Sequence, residues 1–237
     1  MTDHDPFGRA IRDHHRGERD EPLVDRDGEE RREHPIEAFY FGEFDPESEA
    51  DAWRASWLDG PLLDVGAGVG RDALYFQERF ETVAIEVSEH LVATMDERGV
   101  RDARHIDMFA LREAFDRDRF RPALVFGTQI GLTGSMQGLR EFLGDLAHVT
   151  TPDGTALLHG YDPDREATEA VLGYRADPTP GLAFRVYHTE YAGEYETLLF
   201  RLFSPDRLRE ATVGTGWELA DLQYGSERTY TAALRKV

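Results

Sequence analysis

Between residues 61 and 76 the chain runs from a short apolar stretch, Pro61–Val65 (PLLDV), through alternating glycines at 66, 68 and 70. It then enters a segment carrying Leu74, Tyr75 and Phe76 at helical spacing. The apolar stretch reads as a buried strand, and the glycines let the backbone take positive φ and approach a ligand closely. The helix start after them presents free N–H groups. Three ligand patterns compete for this turn. A dinucleotide fingerprint, G-x-G-x-x-G, requires glycine at position 71, where Arg71 stands. A phosphate loop ends in G-K-[ST], and the turn has no lysine. The pattern acidic-x-G-x-G-x-G, from Asp64 to Gly70, fits every position. A tight strand–helix turn with no ligand is the plain alternative.

The rest of the chain alternates in the same way. Asp51–Leu58 has helical spacing and Arg71–Arg79 forms the next helix. Thr82–Val87 is a second buried strand, followed by a helix over Ser88–Arg98 with Ser88 as its N-cap. Ala103–Ile106 is a third strand and Ala123–Phe126 a fourth. Leu139–Val149 is a helix, and Thr155–His159 a fifth strand entered through the turn Pro152-Asp153-Gly154. Leu182–Thr189 and Tyr195–Leu202 read as antiparallel strands around Ala192-Gly193-Glu194. Ser204-Pro205 opens a helix with Pro at its first position. Trp217–Tyr224 and Arg228–Leu234 flank Gly225-Ser226-Glu227, a hairpin signal. Strand–helix alternation with near-continuous apolar strands predicts a parallel sheet covered on both faces, closed by an antiparallel hairpin.

Residues 1–49 form a polar arm before the domain at 50–237. Its mixed-sign runs, Asp13–Glu21 and Asp25–Glu33, read as solvated helices or loops. Phe7, Ile11, Leu23, Ile36, Phe39, Tyr40 and Phe41 offer anchors for docking it. The segment His34–Phe41 is either a lid that excludes water or a staple. His14-His15 reads as a solvated pair, and no metal site is expected. Acidic residues number 47 against 27 basic, and Lys236 is the only lysine, giving a formal charge of −20. That balance resembles a halophile's composition and argues against a nucleic-acid partner. The absence of cysteine removes disulfides, thiolate nucleophiles and Cys-type metal sites. The longest uncharged stretch, Pro122–Leu139, is broken by four glycines and predicts no membrane span. The amino terminus lacks an apolar signal core, so a cytoplasmic protein is expected.

Asp64–Gly70 resembles the S-adenosylmethionine-binding loop of class I methyltransferases. Glu86, ending strand two eighteen residues after Gly68, Asp107-Met108 after strand three, and the terminal hairpin extend the resemblance over residues 50–237. The resemblance implies an α/β, Rossmann-like, seven-stranded, mostly parallel sheet with helices on both faces and a C-terminal antiparallel hairpin. It implies S-adenosyl-L-methionine as cofactor, with Gly66, Ala67, Gly68 and Gly70 around the amino-acid end and Asp64 meeting the ammonium or its water. Glu86, followed by Val87, would hold the ribose diol. Asp107 and the N–H of Met108 would meet the adenine, and Gly127 ends strand four beside the ligand. A carboxylate accepts two hydrogen bonds, which suits a diol, and a sulfonium tolerates an acidic pocket better than a pyrophosphate does. Glu86 as a solvated strand end and Asp107 as a helix N-cap are the plain alternatives. The rival functions are an NAD-type Rossmann oxidoreductase and a non-catalytic methyltransferase-like binding protein.

Methyl transfer from a sulfonium is an in-line displacement that needs alignment and desolvation, with a base only where the nucleophile must lose a proton. His159, Tyr161 and Asp162, after strand five, are the catalytic candidates. The alternatives are that His159 is a packed strand residue and that Asp162-Pro163 caps the next helix. Family members acting on DNA adenine or protein glutamine carry Asn/Asp-Pro-Pro-aromatic after strand four. Gly127-Thr128-Gln129-Ile130 stands there, so a small-molecule acceptor is expected. Arg121-Pro122 replaces an acidic residue the family often has before that strand. Gly131–Ser135 reads as a mobile pocket wall.

Overall fold

The computed structural model describes residues 4–237. Helix α1 (Pro6–Arg16) is followed by strands β1 (Val24–Asp27) and β2 (Glu30–Glu33), one π-helical turn (Glu37–Phe41) and helix α2 (Glu49–Ser56). Then β3 (Leu62–Val65), α3 (Arg71–Phe76), β4 (Thr82–Glu86), α4 (Glu89–Arg98), β5 (Ala103–His105), α5 (Leu111–Ala114) and β6 (Phe120–Val125) alternate. A 3₁₀ turn (Gln129–Thr133), α6 (Met136–Val149) and β7 (Thr150–Tyr161) come next. The chain closes with β8 (Tyr174–Ala176), β9 (Leu182–Tyr191), β10 (Glu194–Phe203), α7 (Pro205–Thr212), β11 (Trp217–Tyr224) and β12 (Thr229–Lys236).

Seven strands form the main sheet in the order β11-β12-β7-β6-β3-β4-β5. Pairs from β5 through β7 are parallel, whereas β12 lies antiparallel between β7 and β11. This is the Rossmann-like, mostly parallel sheet with a terminal hairpin that the sequence implied. Every residue of β3 and β4 is buried, as a sheet covered on both faces requires. The helix starts obey local chemistry. Ser88 accepts from Leu91 N at 3.1 Å, Ser135 from Gly138 N at 3.0 Å, and Ser204 precedes Pro205 at the first position of α7.

A second sheet, β10-β9-β1-β2 with β8 also on β9, roofs the carboxyl ends of the main strands. Here the acidic-basic run 25–33 departs from expectation: it forms a hairpin instead of a solvated helix or loop. Gly28, at φ 61°, makes the turn, and β1 then pairs with β9 through Asp25 opposite Thr189. The charges remain solvated at the rim, where Arg31 meets Glu190 at 2.9 Å, while Asp25 is buried. Two further expectations are corrected. Pro152-Asp153-Gly154 lies within β7 as an irregularity beside β6, not in a turn before the strand. Helix α3 also stops at Phe76 instead of Arg79. In the segment Gly131–Ser135, Gly131 and Thr133 are buried, and a Cβ at Gly131 would meet Phe200 at 2.8 Å.

Helix α1 is tied to the main body through a cluster of Ala10, Ile11, Leu23, Ile36, Val69, Leu91 and Tyr191. Val69 belongs to the glycine turn, so the arm packs directly on it. Among the described residues no helix is long and apolar enough to cross a membrane. Ile11 is fully buried in this cluster. Ile11→Ala is expected to cost about 2–5 kcal/mol in urea unfolding. A loss under about 0.5 kcal/mol, the range of ordinary surface changes, would show that α1 is not docked in solution.

Candidate active site

The turn after β3 is left-handed at three positions, with φ of 66° at Gly66, 60° at Gly68 and 77° at Gly70. Any side chain there is strained, so these glycines are demanded by backbone shape. Gly66 N and Ala67 N both donate to the Ile85 carbonyl, at 3.0 and 3.1 Å, which pins the turn to the neighbouring strand. Glu86, at the tip of β4 and 8% exposed, holds the turn's other side. Its Oε2 accepts from Gly68 N at 3.2 Å, and its Oε1 accepts from Val87 N at 2.7 Å and Ser88 N at 3.2 Å. Burial pushes this carboxyl above its ordinary value, and the three amides oppose that push.

Asp64, in β3, is 2% exposed and one of its carboxylate oxygens has no hydrogen-bond partner. Burial first, and the charge of Asp72 second, raise its carboxyl well above the usual range. Beneath the turn lies a buried ion network. Arg54 of α2, 2% exposed, donates to Asp72 at 3.0 Å and to Asp51, with its guanidinium 4.2 Å from the Phe126 ring centre. Arg71 pairs with the same acids, at 3.5 Å from Asp72 and 3.8 Å from Asp51. Breaking such a buried pair is expensive because a charge is left without a partner.

After β6, Gly127 (φ 75°) and Thr128 (φ 67°) are both left-handed. A β-branched residue in that region is strained, and such strain gathers at functional loops. Thr128 N donates to His159 Nδ1 at 3.2 Å, and the Gln129 side chain rests against Gly66. His159 also stacks on Phe126 at 4.4 Å. Loss of hydration pushes its pKa down to about 3, aided by the Arg54 and Arg71 charges, so the ring is neutral with Nδ1 already engaged. Tyr161 ends β7, 5.9 Å from the Arg185 guanidinium. Asp162 is buried and accepts from Asp164 N at 3.1 Å and the Tyr224 hydroxyl at 3.3 Å, closing the turn after β7. Burial raises its carboxyl.

Asp107 is exposed, with Oδ1 accepting from Phe109 N at 2.9 Å, and Met108 is buried. Val87, 58% exposed, and Phe109, 48% exposed, are large apolar side chains left uncovered at the ends of β4 and β5. The structure thus brings Asp64, the glycine turn, Glu86, Val87 and Gly127 to one end of the sheet, with Asp107–Phe109 at its flank. The ring of Tyr40, from the π-helical turn, lies over Gly68, 3.6 Å from where a Cβ would stand. A hollow between Thr128, Gly160, Tyr161 and Phe200 holds only about 10 Å³. A larger cleft of about 510 Å³, between Trp53, Trp57, Arg121 and Arg235, lies at the opposite ends of the strands and shares none of these residues.

Arg54 escaped the sequence reading, and Thr128 was placed after strand four without its left-handed backbone. For Arg54 a signal existed, a lone arginine inside the apolar helical spacing of DAWRASWL. For Thr128 there was none, since left-handed backbone at a non-glycine residue leaves no trace in composition.

The strand order and the glycine turn define the fold of class I methyltransferases. No protein-family model matches the chain, and no curated protein matches it. Solved structures do. A SAM-dependent methyltransferase from Bacteroides fragilis, in complex with S-adenosyl-L-homocysteine, is 23% identical with a TM-score of 0.79, covering 100% of this chain and 97% of that one. The 1,6-didemethyltoxoflavin-N1-methyltransferase of Burkholderia thailandensis, with 1,6-didemethyltoxoflavin and S-adenosylhomocysteine bound, is 22% identical with a TM-score of 0.52, covering 74% and 70%. The CcbJ methyltransferase of Streptomyces caelestis is 15% identical with a TM-score of 0.61, covering 79% and 88%. Likeness at this identity establishes the fold.

The neutral His159 has a measurable consequence. An unfolded chain protonates this histidine near pH 6.5, whereas the folded one does so only near pH 3. The unfolded state therefore binds the extra proton in between, and stability falls as pH falls through that window. His159→Asn, which keeps an acceptor for Thr128 N, is expected to flatten the slope of unfolding free energy between pH 6 and 4 by up to about 1.4 kcal/mol per pH unit. Equal slopes in both proteins would place the imidazole in water.

Proposed function

We propose that the chain is an S-adenosyl-L-methionine-dependent methyltransferase acting on a small-molecule acceptor. The observation that carries this reading is the buried Asp64 oxygen without a partner beside a turn left-handed at Gly66, Gly68 and Gly70. A buried unpaired carboxylate oxygen is costly, and a cationic ammonium or its water relieves it. Glu86 retains acceptor capacity for a ribose hydroxyl beyond the three amides it already holds. Uncovered Val87 and Phe109 offer apolar faces to an adenine, with Asp107 and the Met108 backbone beside them. The residues present fit the cofactor, which when bound supplies an electrophilic methyl group on a sulfonium.

Residues 1–49 are read as a lid on the domain at 50–237, because Tyr40 occupies the space over Gly68 that a ligand's approach needs. The bound 1,6-didemethyltoxoflavin of the Burkholderia thailandensis neighbour supports a small acceptor. The acidic, lysine-poor composition supports a halophile's cytoplasm as the setting, so assays belong in high salt.

Calorimetry in high-salt buffer with S-adenosylmethionine and with NADH tests the reading. Binding of the first alone is expected, and Glu86→Ala and Gly68→Val should each weaken it at least tenfold. Binding of NADH instead would make the chain an oxidoreductase. Cofactor binding with no labelled methyl passed to any fraction of cell extract would make it a non-catalytic binding protein.

A further inference from the structure

The π-helical turn that carries Tyr40 is preceded by a buried histidine for which the cofactor reading has no use. His34, 5% exposed, sits with Nδ1 at 2.9 and 3.1 Å from the two oxygens of Asp25 on β1. The hydroxyl of Tyr187 on β9 is 3.0 Å from the same nitrogen. A carboxylate has no hydrogen to give, so the Asp25 contact places the imidazole proton on Nδ1 and leaves Nε2 as an acceptor. The two nitrogens point in nearly opposite directions, and Nε2 is buried with no hydrogen-bond partner. Around the ring stand Phe7 and Phe39, each at 5.5 Å, and Tyr40 at 5.9 Å. The Tyr40 ring that stands 5.9 Å from this histidine is the one lying over Gly68. π-Helical turns are rare and collect at functional sites.

On the same face of β9, two residues before Tyr187, is Arg185. Its guanidinium lies 4.3 Å from the Tyr187 ring centre and faces Tyr161, and Nε donates to the Leu172 carbonyl at 3.1 Å. Among the described residues it has no carboxylate partner within 4.0 Å, although most arginines of this acidic chain do. Tyr187 thus touches both groups, its hydroxyl 3.0 Å from His34 Nδ1 and its ring 4.3 Å from the Arg185 guanidinium.

We infer that His34, Asp25, Tyr187 and Arg185 form the acceptor site, with His34 as the proton acceptor, and that the substrate is a small planar acid bearing an ionisable O–H or N–H. The inference rests on the methyltransferase reading. The anionic group meets Arg185, the aromatic rings hold the planar body, and the attacking O–H or N–H meets Nε2. The proton passes to Nε2, its bonding electron pair stays on the oxygen or nitrogen as the nucleophile, and the imidazolium charge is met by Asp25. Asp25 acts through His34 and is a positioning residue.

Nitrogen-15 NMR of the full chain, with and without saturating S-adenosylhomocysteine, tests this with 4-hydroxybenzoate and benzoate as probes. His34 is expected as the Nδ1–H tautomer, and 4-hydroxybenzoate should move its Nε2 resonance while benzoate binds without doing so. Arg185→Met should weaken both probes at least tenfold. His34→Gln should leave S-adenosylhomocysteine affinity within twofold while methylation of 4-hydroxybenzoate falls about a hundredfold or more. A protonated Nε2 in the free protein, or an Nε2 resonance that 4-hydroxybenzoate does not move, overturns the inference even if His34→Gln fails to fold. Failure of S-adenosylhomocysteine to bind sinks the methyltransferase reading instead, and the probe titration without it still decides the role of His34.

Discussion

Three backbone amides converge on the carboxylate of Glu86, and one of them comes from the middle of the glycine turn. This contact joins the ends of two adjacent strands into one rigid cup. It works only because Gly68 takes a left-handed φ that turns its N–H toward β4. Around that cup the fold is arranged asymmetrically. Below it, Arg54 and Arg71 together meet the charges of Asp72 and Asp51. Above it, the second sheet and the N-terminal segment bring aromatic rings and polar groups over the strand ends.

The parallel half of the molecule was legible because its signals are local. A strand buried on both faces is apolar throughout, a serine before a helix caps it, and a left-handed turn must be glycine. These rules located β3, β4, α4 and the closing hairpin to within a few residues. The second sheet was legible only in part. Strands β9 and β10 show up as consecutive segments around Gly193, but β1 and β2 do not. Their residues, VDRD and ERRE, lack an apolar face, and β1 is held by pairing with a strand some 160 residues away. Short-range pattern carries no record of such a partner, so a charged hairpin reads as solvent-exposed coil.

The same non-locality hid a buried polar cluster. Asp25, His34 and Tyr187 meet only when β1 docks on β9, and nothing in the spacing of the first two predicts the third. By contrast the grouping of Asp64, Gly66, Gly68 and Glu86 at one end of the sheet was legible because they lie within one strand–turn–helix–strand unit. His159 illustrates the limit of position alone. Its place at a strand end matches that of a catalytic group, while its surroundings, Phe126 on one face and Thr128 N on Nδ1, keep it neutral and engaged.

The cup around Gly68 must be a ligand seat, and not merely a tight turn, for the chain to hold S-adenosylmethionine there. A crystal structure of the chain grown with saturating S-adenosylhomocysteine tests that directly. The ribose diol is expected on the Glu86 carboxylate, the amino group within reach of Asp64, and the Tyr40 ring moved off Gly68. A structure in which Tyr40 still covers Gly68 and no adenosyl ligand lies between β3 and β4 would contradict it.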